Sequence, residues 1–166
     1  RILAGSYLPD TGHIWGRDSS PSSHRLFQSR PVPKSMTFKD PVSGEMLVEL
    51  RSDGQQTVAP PSVHPSGEGV RFDLDGKPSR VETDILVQCV SCLADVGLLA
   101  RHWPNQGSRN EAALAIAGGL LRANLDEVFV SNMLLNIART AGDEEAENRA
   151  NSVSHTAKKL ASGHHV

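Results

Sequence analysis

Apolar and polar residues follow two different rhythms along this chain, and the change falls near residue 80. Before it the apolar positions come in short bursts. Residues 45–51 (EMLVELR) alternate with the period of two that a half-buried strand needs. Ser52-Asp53-Gly54 then reads as a turn, because glycine supplies a positive φ and aspartate supports the bend. Residues 55–59 are expected to return as the partner strand, ended by Pro60 and Pro61, neither of which can donate to a sheet ladder. Further short strands are expected at 25–29 and at 70–74, the latter closed by Asp75-Gly76. After residue 80 the spacing becomes helical. Ile85, Leu86, Cys89, Val90, Leu93, Val96 and Leu99 predict a helix over 81–103, stopped by Pro104. Ser108 with Glu111 three residues on predicts a capping box for a helix over 112–123, ended by Asn124. Leu125-Asp126-Glu127 opens a third helix, running to about Thr140. Asp143, Glu144 and Glu145 are expected in the first turn of a fourth, where the helix dipole favours acids. Lys158 and Lys159 would lie in its last turn, and Gly163 would end it. The expected architecture is α+β: a small mixed or antiparallel sheet in 1–80, then an all-α bundle in 81–166.

Composition sharpens this division. Nine of the ten prolines precede residue 80, and only 4% of the chain is aromatic. Aromatic poverty argues against single-strand binding built mainly on stacked bases. The net charge is -2. Residues 1–80 carry ten Lys/Arg against nine Asp/Glu, or +1, and residues 81–166 carry seven against ten, or -3. No general basic field gathers nucleic acid, so any such contact must come from a local cluster such as Arg17, Arg25, Arg30 and Lys34. Cys89 and Cys92 are too few for a disulfide framework, which suits a reducing cytoplasm. No apolar run is expected to reach the ~20 residues that cross a bilayer, so no membrane partner is expected. The chain opens on Arg1 without a signal pattern and reads as a piece of something longer.

Three segments could carry chemistry. Residues 16–25 (GRDSSPSSHR) combine a glycine, two arginines, four serines and a histidine, the donors from which a phosphate cradle is made. A polar surface loop has the same composition. Glu49 shares a strand face with Arg51, as a plain ion pair or as a metal ligand beside a triphosphate contact. Residues 59–67 (APPSVHPSG) form a proline-stiffened loop that presents Ser62 and His64, or merely connects two strands.

In this order the three segments resemble the catalytic domain of the archaeo-eukaryotic primase superfamily, in its bifunctional primase–polymerase branch from phages, plasmids and prophages. The combination RSDGxxxVAPPSVHPSG is more specific than any single element. The resemblance implies that His24 binds the incoming triphosphate, with Arg17, Ser22 and Ser23 beside it. It implies that Glu49 is the third metal-binding carboxylate, for Mg²⁺ or Mn²⁺, next to Arg51. Ser62 and His64 would line the nucleotide site. Residues 102–149 look like the small helical domain that often follows such cores, where it would position the template or the initiating nucleotide. The implied reaction is template-directed nucleotidyl transfer, with nucleoside triphosphates and a single-stranded DNA template as partners and room for a helicase domain or protein. One departure matters. The family's acid–x–acid pair does not precede His24, Asp10 stands alone in a PDTG turn, and the pair is expected upstream of Arg1. Two-metal transfer needs carboxylates that hold both ions about 3.5–4 Å apart, so this chain alone is expected to be inactive. The alternative is a non-catalytic nucleic-acid- or replisome-binding module with a degenerate nucleotide pocket.

Weaker signals have structural explanations. Cys89-x-x-Cys92 is half a zinc knuckle set in an apolar helix, where cysteines act as buried small hydrophobes. Trp15 and Trp103 could stack bases, but Trp103 before a proline reads as a core anchor. Gly118-Gly119 in a helix points to close helix–helix packing. His164 and His165 read as a tail.

Overall fold

The structure, a computed structural model, describes residues 2–162. Gly163, His164 and His165, expected to form a helix stop and tail, lie outside the described residues. The fold is mixed α+β, with small sheets followed by helices. It divides into two compact units, one ending at Ala94 and the other beginning at Asp95. The division falls inside a helix, later than the change of composition at residue 80.

In the first unit α1 (Ile2–Tyr7) leads into β1 (His13–Arg17). β2 (Ser20–Arg25) and β6 (Arg71–Asp75) flank β1, both antiparallel to it. β1 is the central strand because its residues 14–16 are buried, Trp15 at 5% exposure. Gly16 is required here. A Cβ at that position would collide with the Ser20 carbonyl and lie 2.8 Å from the Ser22 nitrogen. Two residues, Phe27–Gln28 (β3), run parallel to Ser79–Arg80 (β7). Buried Thr11 ties these pieces together, donating to the Leu26 carbonyl at 2.7 Å and accepting from the Ser79 amide at 3.2 Å.

β5 (Met46–Leu50) is the strand expected over 45–51, but its partner is β4 (Met36–Lys39), not residues 55–59. Asp40 makes that hairpin. Only 1% exposed, its carboxylate accepts from the Val42 and Ser43 amides at 2.9 and 3.3 Å. The 52–54 turn does form, with the Gln55 amide donating to the Ser52 carbonyl. The chain beyond it makes no strand. Its carbonyls are used elsewhere, Gln56 by Arg51 Nη1 at 2.8 Å and Val58 by Trp15 Nε1 at 2.9 Å.

α2 (Thr83–Arg101) spans the division between units. By length and composition it meets the requirement for crossing a membrane, with mean hydropathy 1.6 and 33% of the apolar window buried. The expectation that no stretch reaches that requirement is corrected here. The core helix of a soluble protein meets the same test. Cys89 and Cys92 on α2 form no disulfide and are half-buried rather than buried.

In the second unit α3 (Arg109–Arg122), α4 (Glu127–Thr140) and α5 (Ala146–Ala161) pack on one another. Their core joins Ala113, Ala117, Val130, Leu134 and Val153, with Trp103 packed against it as an anchor. Asp126 caps α4, accepting from the Phe129 amide at 2.9 Å, and Asn124 takes the left-handed turn (φ 61°) before it. The capping box at Ser108 does not form. With ψ near zero, Ser108 is already helical, and its side chain makes no capping bond. Nor do the three acids occupy the first turn of the last helix, which starts after them at Ala146. Asp143, with its side chain fully buried, is held by Trp103 Nε1 at 3.0 Å, Arg149 Nε at 3.2 Å and Arg109 Nη1 at 3.4 Å. Gly118-Gly119 does not mark a close helix contact. A Cβ at Gly119 would meet open space, and one at Gly118 only the Arg122 side chain at 3.4 Å.

Candidate functional site

The β1–β2 hairpin, residue Val58 and the loop over residues 59–67 meet at one small open cleft. Gly16, Arg17, Ser23, His24, Val58, His64 and Val70 line it. Its interior of about 20 Å³ has room for little more than a water molecule. It is therefore an open contact surface that could touch a ligand's edge, not an enclosure for a whole nucleotide.

His24 is its best-oriented member. Strand register sets it opposite Trp15, and the rings stack with centroids 5.1 Å apart and planes 9° from parallel. Nδ1 lies 3.4 Å from Thr57 Oγ1. Partial burial, then the Arg51 and Arg17 cations, lower the pKa of His24 from 6.5. Its ring is consequently neutral at neutral pH. His64 is fixed from the loop side, its Nδ1 lying 2.9 Å from Ser66 Oγ and accepting from the Ser66 amide at 3.1 Å. Nε2 is the atom left for a ligand.

Arg17 donates from Nε to Ser19 Oγ at 3.0 Å, and the same nitrogen lies 3.1 Å from a Glu68 oxygen. Glu68 is the residue that sequence reading missed. It also accepts from the Ser19 amide at 2.8 Å, the Ser19 hydroxyl at 2.9 Å and the Ser66 hydroxyl at 2.9 Å. Those bonds, the Ser19 amide first, hold its pKa down to about 2.

The remaining expected site residues stand apart from the cleft lining. Ser22 gives both its amide and its hydroxyl to Asp73, at 2.7 and 3.1 Å. Ser62 is exposed, and its carbonyl accepts from the Val70 amide. Arg51 is paired with Glu49 at 2.9 Å, the plain same-face ion pair, although its charge is felt at His24. Glu49 thus offers one carboxylate, already engaged. Among the described residues no group of three or more His, Cys, Asp and Glu is placed to hold a metal ion, and the residues present do not by themselves fit Mg²⁺ or Mn²⁺. Trp15, with one face on His24 and its N–H on Val58, is a platform for the histidine rather than for a base.

No family model, curated protein or solved structure matches this chain.

Proposed function

We propose that the first unit carries the phosphate-contacting half of a nucleoside-triphosphate site, belonging to a primase–polymerase that makes or extends primers in a mobile genetic element. The observation that carries this reading is the convergence of Arg17, Ser23, His24 and His64, from separate segments, on one small open cleft. Guanidinium forks, a hydroxyl and imidazole N–H groups are the donors that a phosphate chain requires. In the nucleotidyl transfer that the resemblance implies, these groups would bind the triphosphate and offset its charge. The residues described here supply no metal-held step.

The test is triphosphate binding to this chain by calorimetry, with His24→Ala beside it. Loss of a donor to a charged phosphate should weaken binding by roughly 1.5–3 kcal/mol. Equal affinity in both proteins removes His24 from the site. The same chain should show no primer extension with Mn²⁺ and labelled nucleotides, because Glu49 is its one candidate metal carboxylate. Robust metal-dependent extension would refute that expectation.

The second reading, a non-catalytic nucleic-acid- or replisome-binding module, draws on a specific observation. The cations around the cleft already have carboxylates: Arg17 has Glu68 and Arg51 has Glu49. Absence of any triphosphate binding would favour it.

A further inference from the structure

We propose that Glu68 is an internal stand-in for a ligand phosphate, filling an anion site made by the Ser19 amide and hydroxyl, the Ser66 hydroxyl and the Arg17 guanidinium. The inference rests on the triphosphate reading and adds a closed state to it.

Three hydrogen-bond donors from two separate segments converge on one carboxylate at 2.8–2.9 Å, and Arg17 Nε pairs with it at 3.1 Å. An amide, two hydroxyls and a guanidinium form a donor set that serves a phosphate oxygen as well as a carboxylate. Arg17 belongs to both sites, since it lines the cleft and holds Glu68. Its one positive charge is shared between the two. His64, on the other wall of the cleft, is coupled to the same carboxylate through Ser66.

The clamp also shapes the loop. The His64 amide bonds the Glu68 carbonyl, and the Gly67 amide bonds the His64 carbonyl, both at 2.8 Å. Residues 64–68 therefore form a tight turn whose side-chain anchor is the Glu68 carboxylate. A ligand phosphate arriving at Arg17 competes with that anchor. If it wins, Glu68 is released, the turn loosens, and Ser19 and Ser66 become ligand donors. The cluster is partly exposed, with side-chain exposures of 29% for Arg17 and 27% for Glu68. The competing ion pair is thus of the modest, solvent-screened kind that a polyanion can displace.

The experiment uses the whole chain and inorganic tripolyphosphate, titrated by calorimetry without added metal. Glu68→Gln keeps an acceptor for the serine donors and removes the competing charge. It should bind tripolyphosphate about five- to tenfold more tightly than the parent, the scale of an exposed ion pair plus relieved like-charge repulsion. Equal or weaker binding by a variant with parental circular dichroism overturns the proposal. Should the variant misfold, hydrogen exchange on the parent decides. Tripolyphosphate should speed exchange of the His64 and Gly67 amides, and unchanged or slower exchange overturns the displacement. The two readings fail separately. If Glu68→Gln tightens binding while His24→Ala leaves it untouched, the anion site stands and the nucleotide reading falls. If His24→Ala weakens triphosphate binding and Glu68→Gln changes nothing, the reverse holds.

Discussion

His24 is partly buried and lies near two guanidinium groups, Arg51 and Arg17, and both effects favour its uncharged ring. A bound polyphosphate reverses the balance, because its negative charge favours the imidazolium. Binding should therefore take up a proton, and affinity should rise as pH falls toward the lowered His24 value of the free protein. Calorimetry in buffers of different ionisation enthalpy measures that proton directly, and His24→Ala should take up less. The sign for folding is opposite. A histidine whose folded pKa is depressed contributes stability that is whole above 6.5 and lost as pH falls from there through its folded value. At this scale the sequence was partly legible. Arg17, Ser23, His24 and His64 stand out as donors in glycine-, serine- and proline-rich segments, and they do meet. Glu68 does not stand out, because its meaning lies in Ser19, 49 residues away. Ser22 reads as a ligand donor until Asp73 is seen to hold it.

Among the elements, α2 to α5 were the most readable, because each repeats an apolar face over several turns; α1, six residues long, was not foreseen. The strands are short, and pairing is a relation that one strand's sequence does not contain. EMLVELR announces β5, but nothing in its alternation distinguishes a partner before it from one after it. Asp40 decides the matter by closing the 40–44 turn with its buried carboxylate. The misplaced acids of the last helix have a similar origin. Composition assigns Asp143 to a helix dipole, whereas packing gives it to Trp103, Arg109 and Arg149. Burial alone would raise its pKa; the Glu145 amide, Trp103 and Arg149 more than offset this and lower it. Asp143→Ala should leave the Trp103 N–H without its acceptor and take one of two carboxylates from each of Arg109 and Arg149, which keep Glu144 and Glu145, and destabilise the helical unit by about 1–3 kcal/mol. Urea unfolding followed by circular dichroism checks this. A loss below 1 kcal/mol would mean that water serves the three donors equally well.

For the molecule as a whole, the two compositional halves each become a compact unit, but the composition change and the structural division differ. Nine of the ten prolines lie before the sheet ends at Arg80, whereas the structural division falls inside α2. A segment over 83–162, keeping α2 entire, should fold alone as a helical protein of modest stability, since its core is small and rich in alanine. A cooperative thermal transition by circular dichroism supports this, and a chain without helical signal refutes it. The two tryptophans fall one to each unit, Trp15 in the first and Trp103 in the second. Trp15 is stacked on the imidazole of His24. A protonated imidazole accepts an electron from an excited indole, and a neutral one does so poorly. Occupation of the cleft by an anion should thus dim the emission of Trp15 and leave that of Trp103 unchanged, giving the protein an intrinsic optical signal for its own ligand without an attached dye.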